Sequence, residues 1–223
     1  MRINKRGATT GVRAVVLVLH GGQEVSKTPA TVRYPAYWRM VPFARDLSRV
    51  PGLAVWQLCN TYRGWNAPDL DPVHDARHAL DEIRGTYPDV PVALVGHSMG
   101  GRVALRVADD PQVAGVCALA PWTPAGEPVT QLAGRTVLIA HGDRDRTTDP
   151  ALSYTYAERA KEVTDRVARF DVRGETHALL FRYREWTRLV RRFTLGVLGA
   201  VPLDQDIADA LGKPLPDGLR VPV

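Results

Sequence analysis

The chain has 223 residues, two cysteines and 45% hydrophobic residues, enough for one α/β domain with a full core and too little cysteine for a disulfide scaffold. Its 29 basic and 24 acidic residues leave a net charge of +5, but the arginines are scattered among acids, so no nucleic-acid partner is expected. The longest clean apolar run, residues 14–19, is far short of the roughly 20 residues of a membrane span or the ~7–15 of a signal-peptide core, and a soluble, cytoplasmic protein is the expectation.

In chain order, the first element is the run RAVVLVL at residues 13–19, which reads as a strand covered on both faces. Similar runs follow at residues 53–58, 92–95, 115–119, 136–140 and 167–172. Between them lie helical patterns. Val73, Ala76, Leu80 and Ile83 share one helix face, and Gly85 supplies a stop. Residues 102–109 and 151–163 read as two more helices, and Tyr183, Trp186, Leu189, Val190 and Phe193 make the apolar stripe of a last one. This alternation predicts an α/β fold, a three-layer α/β/α sandwich around a mostly parallel sheet of about six strands. Residues 1–12 read as an N-terminal extension, 13–199 as the domain, and 200–223 as a Pro-rich tail, loosely packed, with one short helical stretch near 205–211.

The sharpest motif is GHSMG at residues 96–100, directly after one strand and directly before a helix. A serine hydroxyl is a poor nucleophile, so it needs a tight turn that presents it beside a base and near donors for the developing oxyanion. Gly96 and Gly100 make room for that turn, which marks Ser98 as the candidate nucleophile. An acid and a base should then follow later strands. HGDRD places Asp143 and Asp145 after the run ending at residue 140, and RGETH places His177 after the run ending at 172. All these positions fall at strand C-termini, where catalytic groups of open α/β sheets collect. His177 is the only histidine after His141, so it has no competitor as base. For the acid, Asp145 is favoured and Asp143 is the runner-up, because an aspartate beside the turn glycine often caps local backbone. The oxyanion donors should be the N–H of Met99 and one from the HGG loop, residues 20–22.

The order Ser98, Asp145, His177 with HGG upstream resembles the α/β-hydrolase superfamily over about residues 13–197. Within it the chain is similar to small esterases, thioesterases and dienelactone-hydrolase-like proteins, and the HG plus GHSMG wording to monoacylglycerol-lipase and serine-aminopeptidase-like members. The resemblance implies Ser98 as nucleophile, His177 as general base, Asp145 as orienting acid, and Gly22 and Met99 as the oxyanion hole. It departs in two places. The common form has two more strands before the HG strand, and residues 120–135 are too few for a helical lid. A minimal fold without a lid domain predicts a shallow cleft walled by residues 23–37, 62–66 and 121–124, with Gln23, Trp65 and Trp122 as substrate-pocket candidates.

Weaker signals are read structurally. His74-Asp75-Ala76-Arg77-His78 is a near miss for a zinc signature, but its histidines lie opposite the apolar stripe and no third ligand is evident. Arg184, Arg188, Arg191 and Arg192 read as a solvated helix face, and Cys59 and Cys117 as buried small hydrophobes. The expectation is a serine hydrolase for a small-molecule ester or thioester, with no metal or organic cofactor and an open oligomeric state. An acyltransferase or aminopeptidase-like amidase on the same triad, or a non-catalytic binding protein of this fold, are the alternatives.

Overall fold

A computed structural model describes residues 1–223. Eight strands form one sheet: β1 (Arg2–Gly7), β2 (Ala14–Leu19), β3 (Leu53–Cys59), β4 (Val92–His97), β5 (Val113–Leu119), β6 (Thr136–Gly142), β7 (Val167–Val172) and β8 (Val221–Pro222). Their order is β1-β3-β2-β4-β5-β6-β7-β8. All neighbours pair in parallel except β1, which runs antiparallel to β3.

Every residue of β2, β3, β4 and β6 is buried, because helices cover both faces. Period-two alternation sends Val15, Leu17 and Leu19 to one face and Val16 and Val18 to the other. The first face packs against α2 (Asp71–Thr86), α3 (Met99–Arg106) and α4 (Pro150–Lys161), through Ala76, Leu80, Ile83, Val103 and Ala157. The second packs against α1 (Pro35–Leu47), α5 (Tyr183–Val197) and α6 (Gln205–Gly212), through Met40, Phe43, Trp186, Phe193 and Ile207. Fully burying a Leu, Val or Phe side chain contributes about 1.5–3 kcal/mol, so these two faces carry the stability of the domain.

The expected six strands are all present, within a residue or two at their ends. Two more close the sheet. The stretch read as an extension supplies β1, an edge strand whose RINKRG side chains are mostly solvated, so it lacks an apolar signal. The tail read as loose is instead packed: Ile207, Ala210 and Leu219 are buried, and Val221 and Pro222 pair with Phe170 and Asp171. Helix α1 falls where sequence periodicity is interrupted by Pro42, yet Pro35 opens it and Met40, Phe43 and Leu47 anchor it. Between β5 and β6, residues 120–135 hold only a 3-10 turn, Thr130–Leu132. No helix is long and apolar enough to cross a membrane.

Register positions the site. Leu19 pairs with Gly96, His97 with Leu119, Leu119 with Ala140, and Gly142 with Val172. The loops leaving β2, β4, β6 and β7 therefore emerge side by side along one sheet edge.

Candidate active site

The turn between β4 and α3 is built around Ser98, whose φ of 55° and ψ of −120° lie in a strained region for a residue with a Cβ. Surrounding bonds impose it. Ser98 N–H donates to the Leu119 carbonyl (3.0 Å), and the Ser98 carbonyl accepts from Arg102 N–H (3.1 Å) and Trp122 N–H (3.2 Å). A Cβ at Gly96 would strike the Gly100 carbonyl, and one at Gly100 the Leu19 carbonyl. Ser98 opens α3 without using its side chain as a cap. Met99 begins the helix, so its N–H is among those with no partner along the helix.

Behind this turn, His177 Nδ1 lies 2.7 Å from Asp145 Oδ2. The same oxygen receives the Thr148 hydroxyl (2.9 Å) and His141 Nε2 (3.2 Å). Asp145 Oδ1 accepts the N–H groups of Thr147 (2.7 Å) and Thr148 (3.0 Å). Burial alone would raise this carboxyl, but the bonds from His141, His177 and the Thr148 and Thr147 backbone outweigh it and hold Asp145 well below the usual carboxylate range. Asp143 is exposed and accepts Gly174 N–H at 2.7 Å. It braces the neighbouring turn and has no bond to His177. Asp149 caps α4 through Ala151 N–H (2.8 Å).

Two further histidines hold the cleft walls. His97, 3% exposed, donates Nε2–H to the His177 carbonyl (2.9 Å), and the two rings lie 4.7 Å apart. Burial, then repulsion from His177, lowers His97 to about 3, so it stays neutral. His20 accepts Asn60 N–H at Nε2 (3.1 Å), which leaves Nδ1–H to donate to the Gly21 carbonyl (2.6 Å). Burial lowers His20 as well. In a trans peptide the carbonyl and the following N–H point in opposite directions. Drawing the Gly21 carbonyl onto His20 therefore turns the Gly22 N–H the other way, and a Cβ at Gly22 would collide with Met99 and the Arg63 carbonyl.

Gly21, Gly22, Ser98 and His177 line one cleft of about 390 Å³, with Tyr34, Arg39 and Thr147 completing its rim. That volume is within the usual range for small-ligand sites, about 300–1,000 Å³. Ser98 Oγ and His177 face this cleft without a hydrogen bond between them, a separation common before substrate draws such groups together.

The family model described as "Alpha/beta hydrolase family" matches residues 15–222. The chain belongs to the alpha/beta hydrolase family. Solved structures share its fold at low identity. Thermogutta terrifontis esterase 2, phosphoramylated by tabun, superposes with a TM-score of 0.70 at 16% identity, over 91% of each chain. A serine hydrolase without a lid from Xanthomonas campestris gives 0.65 at 18%, over 91% of this chain and 90% of that one. Est1E from Butyrivibrio proteoclasticus gives 0.67 at 14%, over 88% and 93%. A 36-residue stretch is 50% identical to monoglyceride lipase of Mus musculus, covering 16% of this chain and 12% of the lipase.

Not every expected residue reaches the cleft of this alpha/beta hydrolase. Gln23 is exposed, and its backbone bridges to Gly64 rather than lining the site. Trp65 and Trp122 meet edge to face at 6.1 Å, with the Arg102 guanidinium 3.9 Å and 4.4 Å from their rings. Arg102 in turn pairs with buried Glu127 at 2.6 Å. Both tryptophans serve a packed cation–π cluster beside α3, and the segments 62–66 and 121–124 form no part of the cleft wall. Of the expected walls, residues 23–37 contribute through Tyr34, Pro35 and Ala36. In the His74–His78 stretch, Asp75 accepts Thr61 N–H (2.6 Å) and the Thr61 hydroxyl (2.8 Å), while His78 pairs with Glu82 (3.3 Å). Sequence reasoning missed His141, Thr148, His97 and Arg39. His141, beside the acid in HGDRD, and His97, inside GHSMG, lie within those motifs, whereas Thr148 and Arg39 carry no signal.

Proposed function

We propose that this chain is a serine hydrolase that cleaves a carboxylic ester or thioester of a small or medium-sized substrate through an acyl-enzyme. Ser98 Oγ attacks the carbonyl carbon while His177 takes its proton, and the N–H groups of Gly22 and Met99 receive the oxyanion. Asp145 fixes the His177 tautomer and stabilises the imidazolium. His177 returns the proton to the leaving oxygen or sulfur, and water, activated by the same imidazole, then releases the acid.

The observation that carries this reading is the 2.7 Å contact between His177 Nδ1 and Asp145 Oδ2 beside the cleft that holds Ser98. The family and the fold it shares with esterases support it. The cytoplasm, with Cys59 and Cys117 kept as buried thiols, is the compartment that fits it. Steady-state hydrolysis of matched ester and thioester substrates tests it. Turnover by the native chain, lost by about a thousandfold or more in Ser98→Ala, supports the proposal, and equal rates in both proteins contradict it.

A further inference from the structure

An apolar groove of about 380 Å³ adjoins the Ser98 cleft. Trp38, Pro42 and Phe43 of α1 form one wall, and Leu179, Leu180 and Tyr183 form the other. The two spaces are neighbours: Pro35, Arg39 and Ala178 border both. Arg39 ties the walls together by donating to the Ala178 carbonyl. The groove is open: Trp38 is 53% exposed, Leu180 63% and Tyr183 54%. Large apolar side chains left in water around a concave surface next to a reactive centre mark a binding subsite.

Chemistry decides which part of a substrate reaches it, on the reading of Ser98 and His177 given above. In the tetrahedral adduct on Ser98, the oxyanion turns to Gly22 and Met99. His177 carries the proton that the leaving oxygen must receive, so that oxygen and its substituent lie on the His177 side. The groove begins at Ala178, the next residue. We infer that this groove is the leaving-group subsite and that the preferred substrates are esters of apolar alcohols. As the Ser98 Oγ–carbon bond forms, the carbon–alkoxy bond breaks and the alcohol departs with the proton from His177, its alkyl or aryl arm leaving through the groove.

The test is kcat/KM for acetates of ethyl, butyl, hexyl and octyl alcohol, kept below their solubility limits, beside ethyl esters of acids of the same lengths. The alcohol series holds the acyl-enzyme and the leaving-group basicity nearly constant. Each methylene that enters the groove should raise kcat/KM by up to about fourfold, while the acid series stays nearly flat. Leu180→Ser and Trp38→Ser, both at exposed positions, should flatten the alcohol series, with thermal midpoints confirming that they fold. A flat alcohol series, a steep acid series, or an alcohol slope unchanged in both variants overturns the inference while leaving the esterase reading intact. Absence of any ester turnover together with absence of serine-probe labelling overturns both.

Discussion

Asp145 Oδ2 lies 2.7 Å from His177 Nδ1, and that oxygen also serves His141 and the Thr148 hydroxyl. The carboxylate is thus fixed from several sides and stays ionised beside the imidazole. A group so restrained can orient a ring without reorganising as charge develops.

The two aspartates of the loop should separate cleanly in turnover. Asp145→Asn is expected to lower kcat by about three to four orders of magnitude, because the amide favours the wrong imidazole tautomer. Asp143→Asn, which touches only Gly174 N–H, should change kcat less than a fewfold. Parallel steady-state assays at neutral pH decide it, and a large loss in Asp143→Asn with little in Asp145→Asn would reverse the assignment.

His20 acts on the site through the Gly21 carbonyl. Its removal frees the Gly21–Gly22 peptide, so His20→Ala should lower kcat by about ten- to a hundredfold, less than the loss of an oxyanion donor itself, with KM little changed. A proportional rise in KM at constant kcat would assign His20 to substrate binding instead.

His97 makes the fold sensitive to acid. Its value is about 3 in the fold and about 6.5 in an unfolded chain, so the unfolded state binds a proton that the folded state refuses. The stability it contributes is complete above about pH 6.5 and falls as pH drops toward 3, at up to about 1.4 kcal/mol per pH unit. His20, lowered as well, acts with the same sign. Asp145, depressed in the fold, contributes above about pH 4 and is lost only below that. Urea midpoints between pH 7 and 4 should therefore decline less steeply in His97→Gln, which removes the titration. An unchanged slope contradicts the argument.

The tryptophan cluster should report on stability rather than specificity. Trp65 is 2% exposed and stacked by Arg102, so Trp65→Ala should cost about 3–5 kcal/mol in chemical denaturation. Relative rates among ester substrates should stay as in the native protein. A shifted substrate preference at unchanged stability would return Trp65 to the pocket.

What could be read from the chain follows the range of the interactions. The GHSMG turn is legible because its glycines stand at a fixed spacing around the serine, although only the Gly96 constraint is local: Gly96 gives way to the Gly100 backbone, and Gly100 to Leu19 and His20 at the end of β2. Strands buried on both faces announce themselves as apolar runs, whereas β1, with an edge and a solvated face, does not. The preference for Asp145 over Asp143 rests on the turn glycine beside Asp143, which does accept a backbone N–H, that of Gly174, but the reach of Asp145 to His177 depends on how two loops meet across 32 residues. Trp65 and Trp122 follow strand ends as pocket aromatics would, but Arg102 and Glu127 draw them into packing. The apolar groove was invisible for the same reason, since Arg39 and Ala178 meet across 139 residues of sequence.

Every role proposed for this site depends on Ser98 being the nucleophile. Intact-protein and peptide mass spectrometry after treatment with a fluorophosphonate probe tests it most directly. One adduct per chain is expected, located on Ser98, absent from Ser98→Ala and strongly reduced in His177→Ala. No adduct on the folded native protein, or an adduct that persists in Ser98→Ala, would contradict it.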